Sequence, residues 1–171
     1  MRSRSGFAGR WELMSEPQEA ASESVSQQPQ FVVDVVVPDQ GHSFHVSNMM
    51  LDELFFQARN AYINSLGIDD LWHHDVTPQL KELLIRFESE AMPGQPLRST
   101  VQITSRSRRT FVMEQAISVV EGDGSLRPVA TCRSVHVSVS RSQGGAVEVD
   151  PELWAAIERV EGRKIGVEAR A

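Results

Sequence analysis

The stretch from His42 to Arg59 constrains the fold more than any other, because there a polar loop leads directly into a helix-forming segment. Within and beyond it, apolar residues recur at spacings of three and four: Leu51, Leu54, Phe55, Ala58, Tyr62 and Leu66. This spacing predicts an α-helix from about Asn48 to Leu66 with one buried face. Ser47 or Asn48 is the expected N-cap, and Gly67 is a natural residue to end the helix.

The rest of the chain is typical of β-strands, apart from a short amphipathic segment near its end. Strands are predicted over residues 31–37, 80–91, 97–108, 111–120 and 129–139. In the last of these, alternation puts Val129, Thr131, Val135, Val137 and Val139 on one face. A helix is expected over 151–160, with Asp150 as its cap and Pro151 at its first position.

One early helix followed by an antiparallel meander predicts the α+β class, with the sheet wrapped around the long central helix. We expect residues 1–29 to be a disordered segment, since residues 15–30 are rich in Ser, Glu, Gln and Pro. Residues 30–162 form the predicted domain, and residues 163–171 a flexible tail. Translation from Met14 is the favoured explanation of the N-terminal arginines, ahead of a transit peptide.

Composition excludes several partners. A net charge of −6 argues against a nucleic-acid-binding surface, and no apolar run approaches the ~20 residues needed to span a bilayer. Cys132 is the single cysteine, so no internal disulfide is possible and a cytoplasmic location is expected. His73 and His74 are adjacent, which is not metal-ligand spacing, and we expect neither a metal nor a cofactor.

From Phe31 to about Glu161 the chain resembles the hot-dog-fold acyl-CoA thioesterases of the 4-hydroxybenzoyl-CoA thioesterase type. The family's loop, Asp-x-Asp-x-x-Gly-His-Val-Asn-Asn, aligns with residues 39–48, and its helix motif with Gln57-Ala58-Arg59. Residues 108–112 resemble a basic strand junction that holds coenzyme A phosphates in some members. Pro151-Glu152-Leu153 resembles the start of the family's terminal helix.

The loop also departs from the family pattern. Gly41 stands where the family has its usual catalytic Asp, Phe44 replaces the loop glycine, and Leu51 replaces the first helix tyrosine. The resemblance therefore implies the hot-dog fold and an acyl-CoA substrate, with non-standard catalytic residues.

Thioester hydrolysis needs a base to activate water and donors for the developing oxyanion. The candidate catalytic residues are Asp39, His45, Asn48 and Arg59; the candidate substrate-binding residues are His42, Glu53, Arg108 and Arg109. Asp39 or a loop histidine is the expected base, with Glu53 as an alternative. The free amides near Asn48 are the expected oxyanion donors. Arg59 matches an arginine on which related enediyne-type hot-dog thioesterases rely.

The first interpretation is an acyl-CoA thioesterase acting as a homodimer or homotetramer, with sites between protomers. The alternative is a hot-dog protein that binds an acyl-CoA or acyl ligand without hydrolysing it, which the loss of the Asp at Gly41 favours. A dehydratase is less favoured, because its usual pairing of His with a helix carboxylate is not apparent.

Overall fold

The computed structural model describes residues 31–37, 45–68 and 74–167. They form two α-helices and six strands: β1 Phe31–Val36, α1 Asn48–Ser65, β2 Val76–Phe87, β3 Pro96–Arg106, β4 Thr110–Val120, β5 Leu126–Ser140, β6 Gly145–Ala146 and α2 Pro151–Glu161. The prediction of the α+β class is confirmed. No helix among these residues is long and apolar enough to cross a bilayer.

The strands form one antiparallel sheet in the order β1-β3-β4-β5-β2, with the short β6 beside β5. Register shifts interrupt three of the strand pairs, after Leu80, Ile103 and Ile117. Such bulges increase the local twist and bend a sheet. Helix α1 lies on one face, over β3 and β4.

Helix α1 begins and ends as its sequence predicts. Ser47 is the N-cap, and its hydroxyl accepts a hydrogen bond from the Met50 amide at 3.2 Å. Beyond the last turn, Gly67 has φ +68°, a conformation that glycine adopts without strain. The buried face consists of Leu51, Leu54, Phe55, Ala58, Tyr62 and Ile63. This face packs into two adjoining apolar clusters that together make the core.

Strand β5 is oriented in a way that its valine spacing does not suggest. Phe111 and Met113 of β4 belong to the core beside α1, and they pair with His136 and Ser134 of β5. Paired residues of neighbouring strands face the same side of a sheet. The buried, helix-facing row of β5 is therefore Ala130, Cys132, Ser134, His136, Ser138 and Ser140. The valines at 135, 137 and 139 lie half-buried on the opposite face.

Strand β2 is longer at its start and ends earlier than predicted, covering Val76–Phe87 instead of 80–91. Its first residues pair with the far end of β5, where Val76 lies opposite Ser140. After the strand, the Glu88 and Ser89 amides both donate to the Val129 carbonyl oxygen of β5, at 2.8 and 3.2 Å, and the guanidinium of Arg127 donates to the Glu90 carbonyl oxygen at 2.7 Å. Non-local pairing with β5, which the local pattern does not contain, sets both ends.

Helix α2 closes the other end of the core. The Asp150 side chain accepts from the Glu152 amide at 2.8 Å, as expected for an N-cap. Residues 163–167, which we predicted to belong to a flexible tail, lie against β3: Ile165 is buried, and the Arg106 amide donates to the Gly166 carbonyl oxygen at 3.0 Å. Residues 168–171 lie outside the described part of the chain.

Candidate active site at the start of the central helix

The backbone just before α1 is held in place by the segment that follows β2. The Val46 amide donates to the carbonyl oxygen of Ala91 at 2.7 Å, and both residues are buried. One residue later Ser47 caps the helix, and its carbonyl oxygen accepts from the Leu51 amide at 3.0 Å. The first turn of α1 therefore has a defined position beside the turn between β2 and β3.

Two backbone amides at this helix start have no hydrogen-bond partner in the described part of the chain. The Met50 and Leu51 amides both donate to Ser47, whereas those of Asn48 and Met49 do not. Asn48 and Met49 are exposed, and the first turn carries no acidic side chain. Free amides at a helix N-terminus, aided by the helix dipole, attract negative charge. This geometry suits a developing oxyanion.

Of the two residues expected as N-cap, Ser47 and Asn48, the helix uses Ser47. Asn48 is the first helical residue, because the Ser47 hydroxyl is already bonded to the Met50 amide. The side chain of Asn48 is exposed and does not serve the helix.

Of the predicted loop residues, only His45 is described by the structure. Its side chain is exposed, next to buried Val46. Asp39, Gly41 and His42 lie outside the described residues, so the predicted base and the glycine in place of the family's Asp stay predictions.

The helical repeat separates the candidates on α1 into two groups. At about 100° per residue, Asn48 and Arg59 lie within about 20° of each other around the axis. Glu53 lies about 120° from Arg59 by the same count. Glu53 is exposed and accepts a hydrogen bond from Gln57 at 2.9 Å, so it belongs to the opposite flank of the helix.

Asn48 and Arg59 share a flank but not a single contact point. They are eleven residues apart, which is about 16 Å along the axis at ~1.5 Å per residue. Within one protomer, the helix-start amides and the Arg59 guanidinium would therefore contact different parts of a ligand.

Arg59 is half-buried and makes no ion pair or hydrogen bond among the described residues. Its guanidinium lies over the Phe56 ring, 5.4 Å from the centroid. Burial lowers the pKa of Arg59, while the Cys132 and Asp52 side chains act in the opposite direction. A partly desolvated cation without an ion-pair partner is favourable for binding a carboxylate, a phosphate or a polarised carbonyl.

Polar groups on β5 near this arginine were not predicted from the sequence. Ser134 Oγ lies 3.1 Å from His136 Nε2, and the imidazole stacks on the Phe111 ring with centroids 5.0 Å apart. Burial, assisted by the positive charge of Arg59, lowers the pKa of His136 to about 4. Burial also raises the pKa of the Cys132 thiol to about 11, which makes it a poor nucleophile. The sequence feature that could have revealed these groups is the alternation of polar residues with valine over residues 134–140.

Arg108 and Arg109 lie in the turn between β3 and β4, at the end of the sheet opposite the helix start. Both are exposed, and Arg108 pairs with Glu148 at 3.4 Å. Leu97 packs in the cluster that contains Val46 near the helix start. From Leu97 to Arg106 the strand spans about 30 Å at ~3.3 Å per residue. In one protomer, these arginines are thus far from the helix-start amides.

The described residues around His74 contain no trio of metal-ligating side chains. Asp75 accepts hydrogen bonds from Ser140 Oγ and from the Ser142 amide, both at 2.7 Å, and these lower its pKa. His73 lies outside the described residues. Asp75 is therefore a structural residue that holds the loop after β5 in place.

Two of the pockets along the sheet bear on the candidate site. One, of about 240 Å³, lies between α1 and the strands β1 and β3. The other, of about 350 Å³, is open and is lined by charged side chains such as Arg86 and Glu114 on the face of the sheet away from α1. That second position is remote from the helix-start amides, so it does not take part in the candidate site.

An antiparallel sheet packed on one central helix is the architecture of a hot-dog protein. The chain belongs to the thioesterase-like superfamily, whose family profile matches residues 35–157. This membership supports thioester hydrolysis in general. No curated protein sequence gives a significant match.

Solved structures with the same fold include several thioesterases. Slr0204 from Synechocystis, a 1,4-dihydroxy-2-naphthoyl-CoA thioesterase, is 20% identical with TM-score 0.65, covering 74% of this chain and 94% of that one. A thioesterase from Thermus thermophilus, solved with coenzyme A and Zn, is 18% identical with TM-score 0.67, covering 80% and 98%. The dynemicin thioesterase, solved in a study of polyene binding, is 16% identical with TM-score 0.66, covering 81% and 99%.

Proposed function

We propose that this protein is an acyl-CoA thioesterase whose carbonyl-polarising group is the pair of free amides at the start of α1. The observation that carries the proposal is that the Asn48 and Met49 amides are unpaired among the described residues, at a helix end with no acidic side chain. Membership of the thioesterase-like superfamily supports the reaction class. The coenzyme A bound to the Thermus thioesterase of the same fold supports the choice of thiol.

The reaction follows from this geometry. Water, activated by a base from the Asp39 to His45 loop, adds its oxygen to the thioester carbonyl carbon. The carbonyl oxygen becomes an oxyanion, which the two amides hold. The intermediate collapses by breaking the carbon–sulfur bond, and the coenzyme A thiolate takes up the proton that the base removed from water. The products are a free carboxylic acid and coenzyme A.

The exposed inner face of β2 favours a site between two protomers. β2 is the last strand of the sheet, and among the described residues nothing pairs with its outer edge. Leu80, Leu83 and Phe87 pair with helix-facing residues of β5, yet they are 46%, 39% and 49% exposed. A long edge strand with apolar side chains invites pairing with another copy. We infer a homodimer built on β2, which can associate further into a homotetramer.

Such a dimer also explains the distance between the helix start and the basic turn. A two-fold axis perpendicular to the sheet makes β2 antiparallel to its copy, and it sets the two α1 helices in opposite directions. The start of one helix then approaches the end of the partner's sheet that carries its basic turn. In this arrangement Arg109 of the partner subunit is available for coenzyme A phosphates, with Arg108 held by Glu148.

Arg59 lies near Cys132 and His136 of β5, the strand next to β2, and is proposed to hold an oxygen of the substrate. Its half-buried guanidinium has no anionic partner among the described residues, and the neutral His136 cannot supply one. Glu53, on the opposite flank, does not fit a role beside it.

The second candidate is a protein that binds acyl-CoA without hydrolysis. The observation favouring it is Gly41, which stands where the resembling family has its catalytic Asp. Both candidates share the binding site and differ only in the presence of a competent base.

The decisive experiment follows thiol release from short, long and aromatic acyl-CoAs. Asn48→Pro removes only one amide donor and suits the first helical position, because the preceding Ser47 is extended at φ −68°, ψ 155°. Asn48→Ala removes the side chain and keeps the amide. We expect Asn48→Pro to lower kcat by about 10²–10³, and Asn48→Ala to have a much smaller effect. Thermal stabilisation by acyl-CoA without thiol release from any of them would select the binding protein instead.

A further inference from the structure

The cavity between α1 and β1 is a partly enclosed space inside a single protomer. Its volume is about 240 Å³, and it exists because three positions that face each other carry small side chains: Ala58 and Ala61 of α1 and Ser99 of β3. The surrounding walls are aliphatic, with Leu54 at the end nearer the helix start. It lies on the flank of α1 opposite Arg59.

This space is larger than the voids usual in a close-packed interior. Protein interiors pack as densely as organic crystals, with few voids larger than a water molecule. The volume of about 240 Å³ corresponds to about eight waters at ~30 Å³ each, and an apolar cavity of ~150 Å³ already takes up benzene. Apolar walls disfavour filling by water alone. The cavity therefore suits an apolar ligand.

Ser99 supplies one polar group to these walls. It occupies the helix-facing row of β3, between buried Leu97 and Val101, and is 2% exposed. Its hydroxyl has no hydrogen-bond partner in the described part of the chain. A buried hydroxyl without a partner is unfavourable, because it has lost its hydrogen bonds to water. An oxygen atom on a ligand in the cavity would restore one.

The cavity opens between the helix and the edge strand. Gln57 is exposed at the rim, and Val33, Val35 and Ala61 are half-buried. β1 pairs only with β3 among the described residues, so this side of the helix is covered by one strand alone. A flexible chain can enter there without displacing the core.

We propose that this cavity binds an aliphatic chain carrying one hydrogen-bonding oxygen, which enters between β1 and α1 and meets the Ser99 hydroxyl. Two sources share this chemistry: the acyl group of a thioester and a free long-chain alcohol or acid. A chain attached at the helix start runs about 9 Å along α1, from Asn48 to the level of Leu54, before it reaches the cavity. A catalytic use of the cavity rests on the proposed function, but binding does not.

The test uses 1-octanol and octanoate as probes, with titration calorimetry and thermal unfolding as measurements. Ala61→Leu fills the cavity with a good helix former, and Ala155→Leu makes the same change at an exposed position of α2. We expect the wild type and Ala155→Leu to bind 1-octanol and to be stabilised by it, and Ala61→Leu to bind at least tenfold more weakly. Ser99→Ala should weaken 1-octanol binding about fivefold, the size expected for one net hydrogen bond.

Equal binding to wild type and Ala61→Leu, or no binding of either probe to the wild type, overturns the proposal. The source is identified by hydrolysis of acyl-CoAs of increasing length. A shift of Ala61→Leu toward shorter chains supports the substrate's acyl group as occupant, and an unchanged profile with lost probe binding supports a separate ligand. If the wild type hydrolyses none of the acyl-CoAs, the proposed function fails. The probe measurements still show whether the cavity binds an aliphatic chain.

Discussion

The Tyr62 hydroxyl, in the middle of the core, donates a 2.7 Å hydrogen bond to the carboxylate of Glu161 at the end of α2. The same carboxylate oxygen accepts from the Ile103 amide at 2.7 Å, so one buried group joins both helices to β3. Burial and the neighbouring negative charge of Glu161 raise the pKa of Tyr62 far above its ordinary value. The phenol therefore stays a donor at every pH at which the protein is folded.

We expect Tyr62→Phe to reduce the free energy of unfolding by about 1.5–3 kcal/mol, the range for a hydrogen bond to a charged group. The ring is retained, so its edge contact with Phe31 is preserved. Urea denaturation measures the change. Ser65→Ala is the control, because Ser65 is exposed and its hydroxyl bonds only to the Tyr62 carbonyl oxygen among the described residues. A decrease in the free energy of unfolding no larger than that of the control would show that the hydrogen bond from Tyr62 to Glu161 does not stabilise the fold.

The buried His136 predicts a pH dependence of stability. Its pKa is about 4 in the folded protein, because of burial and the nearby Arg59 charge, against 6.5 ordinarily. Above pH 6.5 the imidazole is neutral in both states and its effect is constant. As the pH falls from 6.5 to 4, His136 becomes protonated in the unfolded chain but stays neutral in the folded protein. The free energy of unfolding therefore falls. The predicted loss is at most about 3 kcal/mol.

Urea unfolding of the wild type and of His136→Gln at pH 7, 6 and 5 tests this expectation. The variant lacks the titrating group, so the difference between the two proteins should shrink as the pH falls. Parallel curves would contradict a buried neutral histidine.

The Ser47 cap predicts different costs for two small substitutions. Ser47→Ala should lower the free energy of unfolding by about 1 kcal/mol, because the Met50 amide loses its acceptor. Ser47→Gly should cost only a few tenths of a kcal/mol, since glycine is a tolerated N-cap. Thermal and urea unfolding compare the two. Equal costs would indicate that the hydrogen bond contributes little.

Arg59 is predicted to lower the stability of the fold while it raises the activity. Arg59→Met keeps the length and the contact with Phe56 but removes a half-buried charge that makes no ion pair among the described residues. We expect the variant to be more stable by about 0.5–2 kcal/mol, and thiol release to fall. Arg59→Lys keeps the charge without the planar guanidinium. Unchanged thiol release in both variants would remove Arg59 from the proposed site.

The dimer inferred from β2 predicts a change of mass in solution. Leu83→Lys places a charge on the exposed inner face of β2 and should yield monomers in light scattering coupled to gel filtration. Leu126→Lys is the matched control, since Leu126 is 47% exposed at the start of β5. Thiol release should fall with the dimer if the partner subunit contributes to the site. An unchanged mass would exclude β2 as the interface.

The sequence by itself determined the elements whose causes are local. The three-and-four spacing of apolar residues in α1, the caps at Ser47 and Asp150, and Gly67 after the helix depend only on neighbouring residues. Alternation within each segment likewise predicted β3 and β4, at residues 97–108 and 111–120. The unpaired amides proposed to hold the oxyanion were recognisable for the same reason, because free amides at a helix start follow from the helix itself.

Only the tertiary structure decided what those elements face. Alternation gives a strand two rows but does not say which one is buried, and pairing with β4 turned the polar row of β5 inward. Side chains distant in sequence create the surroundings of Arg59 and the cavity beside Ser99, which separate elements enclose. Periodicity is a property of one segment, whereas burial and pKa depend on the segments packed against it. The chain thus encoded its helix and strands locally, and packing set the chemistry of its site.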